Sequence, residues 1–263
     1  MFKQHKKAWA SLTQVLEWPS AAAGVGAATG PGTGVSEQPN LERKYVFAAG
    51  QGELLGAWLS AILLPDPAFS VGCVTSLYFD TPALDFYDQK RNSDFLKTKV
   101  RLRWYEGAGG DREPVQCFME VKRKIGAKRT KLRARLELPR QALSQRLFTD
   151  PAICNAPAWA DPSFQGQPLV PLIEVQYERR RFIEPITGAR VALDTGIRCL
   201  RANPAFLSQT NPVLLPMGVL ETKGPDRQLP SILVPMAQHF RREAFSKYAA
   251  CCEQLLQPLG RRI

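Results

Sequence analysis

The sequence predicts an α+β fold, an eight-stranded antiparallel β-barrel with covering helices, and three observations carry that prediction. After residue 40 the chain falls into short segments of alternating polar and apolar residues, the period of a strand with two unlike faces. Turn residues separate them: Gly107, Gly109 and Gly110 mark one turn, Gly126 another, Thr187 and Gly188 a third. Helical period is confined to 50–64 and 235–256, with a weaker stretch at 141–147.

The strand candidates are 41–48, 72–81, 97–106, 115–124, 130–138, 171–183, 190–199 and 217–223. Eight antiparallel strands suffice to close a barrel with a polar interior and an apolar, helix-covered exterior. Phe240, Phe245, Tyr248 and Leu255 have the spacing of a helix that covers such a barrel. The connection 149–168, rich in Pro, Ala and Asp, reads as an irregular surface excursion. All this belongs to one domain, 41–263. Residues 1–40 read as a short helix or tail followed by a flexible linker, because 19–40 are nearly all small residues, Gly and Pro. Gly24, Gly26 and Gly30 lack the spacing and the flanking strand of a dinucleotide fingerprint, and no GxxxxGK[ST] sequence occurs.

Composition narrows the function. With 263 residues, 44% hydrophobic and 22% charged, the chain is long and apolar enough for a full core. No apolar run approaches the roughly 20 residues that cross a bilayer, and Gln14 and Glu17 interrupt the stretch behind Lys3, Lys6 and Lys7 that a signal peptide would need. A soluble, cytoplasmic protein without a membrane segment is expected. Two histidines, His5 and His239, leave little scope for histidine triads or histidine-ligated zinc. Six cysteines without Cys-x-x-Cys spacing read as reduced, mostly buried thiols.

The net charge of +11 has a pattern. In 97–105 the side chains of Lys97, Lys99, Arg101 and Arg103 share one strand face, and Val100, Leu102 and Trp104 the other. Glu120, Lys122 and Lys124 repeat this opposite Met119 and Val121, as do Lys131, Arg133, Arg135 and Glu137 opposite Leu132, Ala134, Leu136 and Leu138. Such faces either meet water or are built to meet a polyanion. Glu42 with Lys44, Glu120 with Lys122 and Glu221 with Lys223 each pair a carboxylate and a cation two residues apart on one face. They are surface salt bridges, or, converging in a barrel, oxygen ligands for Mg²⁺ or Mn²⁺ among phosphate-binding cations. Tyr78 and Asp80 of LYFD and Tyr105 read equally well as framework residues that tie strands together.

The ordered motifs LERKYVF, SLYFDTPALDFYDQK, KVRLRWYE, CFMEVKRK, KLRARLEL, IEVQYERRRF, VALDTGIR, VLETKG and FSKY, over about 41–252, resemble the VTC domain. That is the polyphosphate polymerase domain of the triphosphate tunnel metalloenzyme superfamily. The resemblance implies an eight-stranded tunnel that binds a triphosphate through basic residues and Mn²⁺ or Mg²⁺ through carboxylates, and that transfers the γ-phosphoryl group of ATP to a growing polyphosphate chain. By motif it implies catalytic roles for Arg101, Arg103, Lys122 and Arg133, and substrate binding by Lys44, Lys90, Tyr177, Arg179 and Lys247. Glu221 is implied as the metal ligand, with Glu42, Glu120, Glu137 or Asp194 in support. Two positions depart from the family pattern: Ala244 replaces a lysine near the exit, and Lys90 replaces an arginine.

The expected partners are ATP and inorganic polyphosphate, with a membrane partner protein if the product is exported. Nucleic acid is not expected, because the aromatics lie mainly on the apolar faces. A tripolyphosphatase or nucleoside triphosphatase, and a non-catalytic module binding polyphosphate or inositol polyphosphate, remain alternatives.

Overall fold

The computed structural model describes residues 15–17, 41–106, 113–208, 211–224 and 229–256. Eight long strands form its frame: β1 (Leu41–Ala48), β2 (Val71–Asp80), β3 (Leu96–Glu106), β4 (Val115–Ile125), β5 (Lys128–Leu138), β6 (Val170–Ile183), β7 (Arg190–Ala202) and β8 (Met217–Gly224). Each predicted strand is present within a few residues. Their hydrogen-bonded order is β5-β4-β3-β2-β6-β7-β8-β1, antiparallel throughout. Four short strands bring the sheet to 12. Val15–Glu17 pairs in parallel with β5, Arg241–Arg242 with β1, Leu64–Pro65 with β6 and Val213–Leu214 with β7.

The predicted closed barrel is therefore corrected to an open sheet. Val15–Glu17 borders β5 at one end and Arg241–Arg242 borders β1 at the other, and no ladder joins β5 to β1 among the described residues. The sheet is nevertheless strongly curled. Five strands separate β4 from β1 in the order, which in a flat sheet would hold them about 29 Å apart at the usual strand spacing. Yet the charge of Glu42 on β1 acts on Lys122 of β4, and that of Lys44 on Lys99 of β3.

Alternation then decides which side of the curl each residue meets. On the convex face Val100, Leu102, Trp104, Met119, Val121, Ala134 and Leu136 pack against helices α3 (Arg140–Ser144) and α4 (Pro151–Ala160). A second convex cluster joins Tyr45, Phe47, Leu193 and Leu220 to Leu55 and Leu59 of α1 (Gly52–Ile62). Burying each of these large side chains contributes about 1.5–3 kcal/mol. The third cluster is on the concave side: Tyr248, Cys251, Cys252 and Leu255 of α5 (Lys247–Leu256) pack on Val46, Val74, Tyr78, Val175 and Val219, covering one end of the hollow.

Two local expectations are corrected. The stretch 149–168 is not irregular: Asp150 caps α4 by accepting from the Ala152 N–H at 3.0 Å, Pro151 takes the first turn, and Ile153, Ala156 and Ala160 are buried. Its prolines signalled a loop, whereas Pro is well tolerated at a helix start. The single helix expected at 235–256 is two elements, a 3-10 stretch at Ser231–His239 and then α5. Between them the chain is extended, because Arg241 and Arg242 pair with Val46 and Tyr45 and the Glu243 N–H donates to the Lys44 carbonyl at 3.0 Å. Phe240 consequently joins the α1 cluster and not that of α5.

Turn and thiol expectations hold where they are described. Gly126 (φ +58) closes the β4–β5 hairpin and Gly188 (φ +69) the β6–β7 connection, conformations that favour glycine. The turn at 107–110 and the linker 19–40 lie outside the described residues, while Val15–Glu17 is extended where a helix or tail was expected. All six cysteines are free. Among the described residues no helix is long and apolar enough to cross a membrane.

Asp80 is the framework residue the sequence suggested. Its buried carboxylate accepts from the N–H groups of Thr81 (2.8 Å), Phe86 (2.8 Å) and Tyr87 (2.9 Å), and from the Tyr248 hydroxyl. It thereby joins β2, helix α2 (Asp85–Arg91) and α5. Asp80→Ala leaves several buried donors unpaired and should cost about 2–4 kcal/mol. Calorimetry should show this as a melting temperature about 10 °C lower; a shift of less than about 2 °C would contradict the role.

Candidate functional site: a cationic hollow with buried carboxylates

Cross-strand register assembles the hollow from rows of inward side chains. Across β2, β3, β4 and β5 one row runs Tyr78, Arg101, Glu120, Arg133, and the next Lys99, Lys122, Lys131 begins at β3. On the other wall, across β6, β7, β8 and β1, the rows are Arg179, Asp194, Val219, Val46 and then Arg181, Ala192, Glu221, Lys44. Arg190, Lys223 and Glu42 follow on β7, β8 and β1.

Each wall has a carboxylate hub. Glu120 is 4% exposed and takes the Arg101 Nε–H at 2.7 Å, with Lys131 Nζ at 3.5 Å and Arg103 and Arg133 each at 3.9 Å. Burial alone would raise its pKa, but Arg101, Arg103, Lys131 and Lys122 outweigh it and hold the carboxylate well below its usual range. Asp194, fully buried, receives two hydrogen bonds from Arg179 (2.6 and 2.7 Å) and one from Lys247 Nζ (2.5 Å). It too stays ionised against its burial, through Arg179 and Lys247.

Glu221 and Glu42 form a third acidic locus. Lys223 Nζ stands between them, 2.9 Å from Glu221 and 3.7 Å from Glu42, while Lys44 Nζ is 3.3 Å from Glu42. Both carboxylates are held below their usual range: burial raises each, and the lysines, with Arg179 at Glu221, outweigh it. The mutual repulsion of the two acids also raises Glu42. Two ionised oxygen donors around one cation suit a small hard divalent ion whose remaining ligands are phosphate oxygens and water. Among the described residues no group of three or more His, Cys, Asp or Glu side chains forms a metal cage. Glu221, Lys223, Arg179, Arg181, Arg190 and Asp66 line a cavity of about 190 Å³ beside this locus.

Two inward lysines, Lys99 and Lys122, have no carboxylate within ion-pair distance among the described residues. Lys99 Nζ lies 4.9 Å above the Tyr78 ring and has no ion pair among the described residues. Burial, then Arg101, Lys44, Lys247 and Arg103, push its pKa well down. Lys122 is likewise lowered to about 7, by burial first and then by Arg101 and Lys99, with Glu120 and Glu42 opposing. Lys44 Nζ also reaches the Phe245 carbonyl at 3.5 Å, and Lys90 Nζ donates to the Ala244 carbonyl at 2.6 Å. Arg103 donates to the Tyr177 hydroxyl at 3.1 Å, and Lys247 Nζ sits 4.4 Å over that ring. The Arg133 guanidinium lies 3.8 Å over the Phe118 ring, its Nε buried and without a hydrogen bond.

The structure thus gathers Arg101, Arg103, Lys122, Arg133, Lys44, Tyr177, Arg179, Lys247, Glu221, Glu42 and Glu120 around one hollow. Lys90 is at its rim, on α2, where burial and then the charges of Lys97, Lys44 and Lys124 lower its pKa. The two positions that depart from the family pattern touch each other, since Lys90 bonds to Ala244. Glu120 commits its oxygens to cations, a geometry suited to holding Arg101 in place. Sequence reasoning placed Lys99 and Lys223 on charged strand faces without an individual site role, gave none to Arg181 or Arg190, and only an auxiliary one to Asp194. For Lys99 and Lys223 the signal was present, since each shares a strand face with an assigned residue.

The family model described as the VTC domain matches residues 70–256. No curated protein matches the chain. Among solved structures, PH1819 protein from Pyrococcus horikoshii OT3 is 12% identical, with a TM-score of 0.41 over 81% of this chain and 99% of that one. A candidate adenylate cyclase from Vibrio parahaemolyticus is 14% identical, with a TM-score of 0.40 over 80% and 96%. Another, from Bacillus halodurans, is 14% identical, with a TM-score of 0.43 over 76% and 89%.

The low pKa of Lys122 has a sign that can be checked. A lysine whose pKa falls from 10.5 to about 7 on folding destabilises the fold fully below pH 7, and the penalty fades as pH rises toward 10.5. Lys122→Met should therefore stabilise the protein by about 1–3 kcal/mol at pH 6 and much less at pH 10. Equal stabilisation at both, in denaturant unfolding, would mean that Lys122 is not the strained cation.

Proposed function

The chain belongs to the VTC domain family, and from that premise we propose that the hollow binds a triphosphate and transfers the γ-phosphoryl group of ATP to the end of an inorganic polyphosphate chain. One observation supports the reading: Lys99 and Lys122, on adjacent strands, converge with Arg101, Lys44 and Lys247 and have no ion-pair partner among the described residues. Cations held this close repel one another, and a chain of phosphates is the ligand chemistry that removes the strain.

The terminal phosphate oxygen of the polyphosphate attacks the γ-phosphorus, a new P–O–P bond forms, the bond to ADP breaks, and ADP leaves with its charge. Positioning and charge stabilisation supply most of the rate in such a step, which suits a site without histidine. Arg101 and Arg103, fixed by Glu120 and Tyr177, present planar donors to the equatorial oxygens. Lys99 and Lys122 face the same path, and Arg133 is ready to turn its unused donor to a phosphate. On the opposite wall Arg179 and Lys247, fixed by Asp194, hold the neighbouring phosphate. Glu221 and Glu42 would hold Mn²⁺ or Mg²⁺, which when bound neutralises charge between phosphate groups. Lys223, which stands between these carboxylates, would swing aside to a phosphate.

Hydrolysis by water is the second reading, and a specific observation favours it. Ala244 brings no cation to the rim, and Lys90 spends a donor on the Ala244 carbonyl, so the path for a long chain is less basic there.

Purified protein incubated with ATP and Mn²⁺ should yield a ladder of polyphosphate on a gel, lost by at least about 100-fold in Glu221→Gln and Arg101→Ala. Circular dichroism at the assay temperature should show both variants folded, so that lost activity reports lost chemistry. Free phosphate without a ladder would establish the hydrolase. Tight tripolyphosphate binding without turnover would overturn both catalytic readings.

A further inference from the structure

One end of the sheet carries a feature that the phosphate site does not use. Three apolar side chains project there into solvent: Phe95 (73% exposed), Ile125 (51%) and Leu96 (42%). They are contiguous. Leu96 pairs with Ile125 across β3 and β4, and the Phe95 ring covers Gly126 so closely that a Cβ there would meet it at 2.6 Å.

Basic side chains lie on both faces of this tip, Lys128 on the convex side with Leu96 and Ile125 and three more on the concave side. Lys97, Lys124 and Arg129 lie in one cross-strand row, and Lys128 pairs with Ile125. None of these four takes part in an ion pair among the described residues. Lys90 approaches from α2, where burial, then Lys97, Lys44 and Lys124 lower its pKa against the charge of Glu243. Asp94 is the acid nearest in sequence, against four unpaired cations.

A phosphate chain leaving the hollow would account for Lys97, Lys124 and Arg129, but it leaves Phe95, Leu96 and Ile125 facing water. A folded protein partner needs a broad, closely fitted surface, typically about 800 Å² on each side, whereas this patch is three side chains at a projecting hairpin. A small projecting apolar tip with cations on both of its faces matches the boundary of an anionic bilayer, where the apolar groups enter the acyl boundary and the cations meet headgroups. We propose that the β4–β5 hairpin, with Phe95 and Leu96 beside it, is a peripheral docking site for an anionic membrane surface, which brings the rim of the hollow against the lipid.

The test is flotation of the full chain with vesicles of phosphatidylcholine alone or containing about 30% phosphatidylserine, at an ionic strength of about 0.1 M. The wild type should float with the anionic vesicles and not with the neutral ones. The double variant Phe95→Ser/Ile125→Ser should lose at least about five-fold of that binding, and Lys128→Glu should weaken it. Melting temperature and tripolyphosphate binding, measured in parallel, should be unchanged in both variants, which separates lost docking from lost folding. If Phe95→Ser/Ile125→Ser unfolds, Leu96→Ser/Lys128→Glu carries the same test. Absence of flotation with anionic vesicles overturns the proposal. So does flotation that is indifferent to the apolar substitutions, which would make it nonspecific attraction to the cations. Concentration-dependent self-association abolished by Phe95→Ser/Ile125→Ser, without vesicle binding, would assign the patch to a protein interface and overturn it equally. No nucleotide is present in the flotation, so its outcome does not depend on the phosphoryl-transfer reading.

Discussion

Repulsion among like charges is the constraint on which the rest of this structure depends. A curled sheet that faces lysine and arginine inward from β1, β3, β4, β5, β6, β7 and β8 would splay open without something negative inside it. Three acidic loci oppose that: Glu120 on one wall, Asp194 on the other, and the Glu221 and Glu42 pair beyond it. Each is held ionised against its burial by the very cations it restrains. The acids therefore set where the cations stand and leave some of their charge uncancelled. A buried charge deprived of its partner costs more than the pair contributes, so these hubs behave as structural parts of the site.

Apolar packing performs the complementary task. The convex face is covered by α1, α3 and α4, but α5 enters the concave side and fills one end of it with Tyr248, Cys251, Cys252 and Leu255. That placement delivers Lys247, at the start of the helix, to Asp194. Asp80 secures the same helix through the Tyr248 hydroxyl. One apolar plug thus closes the end of the hollow and positions a cation that no strand could supply.

Much of this was legible because strand alternation is a local property. Lys97 to Arg103 and Lys131 to Glu137 state which side chains share a face before any partner strand is known, and all eight long strands were found in that way. Closure was not legible. Whether β5 meets β1 depends on twist and curl accumulated over eight strands, and no single segment records it. Helix α4 was hidden for another reason, since Pro151 and Pro157 carry a turn signal whose meaning reverses when Pro151 follows the capping residue Asp150. The residues that bond across the hollow, such as Asp194 to Lys247, are 53 positions apart and on elements that never pair. Their motifs marked them individually, and only the curl relates them.

The division between arginine and lysine within the hollow is itself informative. Arg101 is fixed by Glu120 and Arg179 by Asp194, each using the planar fork that suits a carboxylate. Lys99 and Lys122 are given no such partner, and an ammonium on a flexible stem is the group whose proton affinity burial shifts most readily. The arginines are therefore preorganised, while the lysines keep flexible stems and a proton affinity lowered first by burial and then by neighbouring cations. An anion entering the hollow would meet a rigid cationic frame first and would raise the lowered pKa of Lys99 and Lys122.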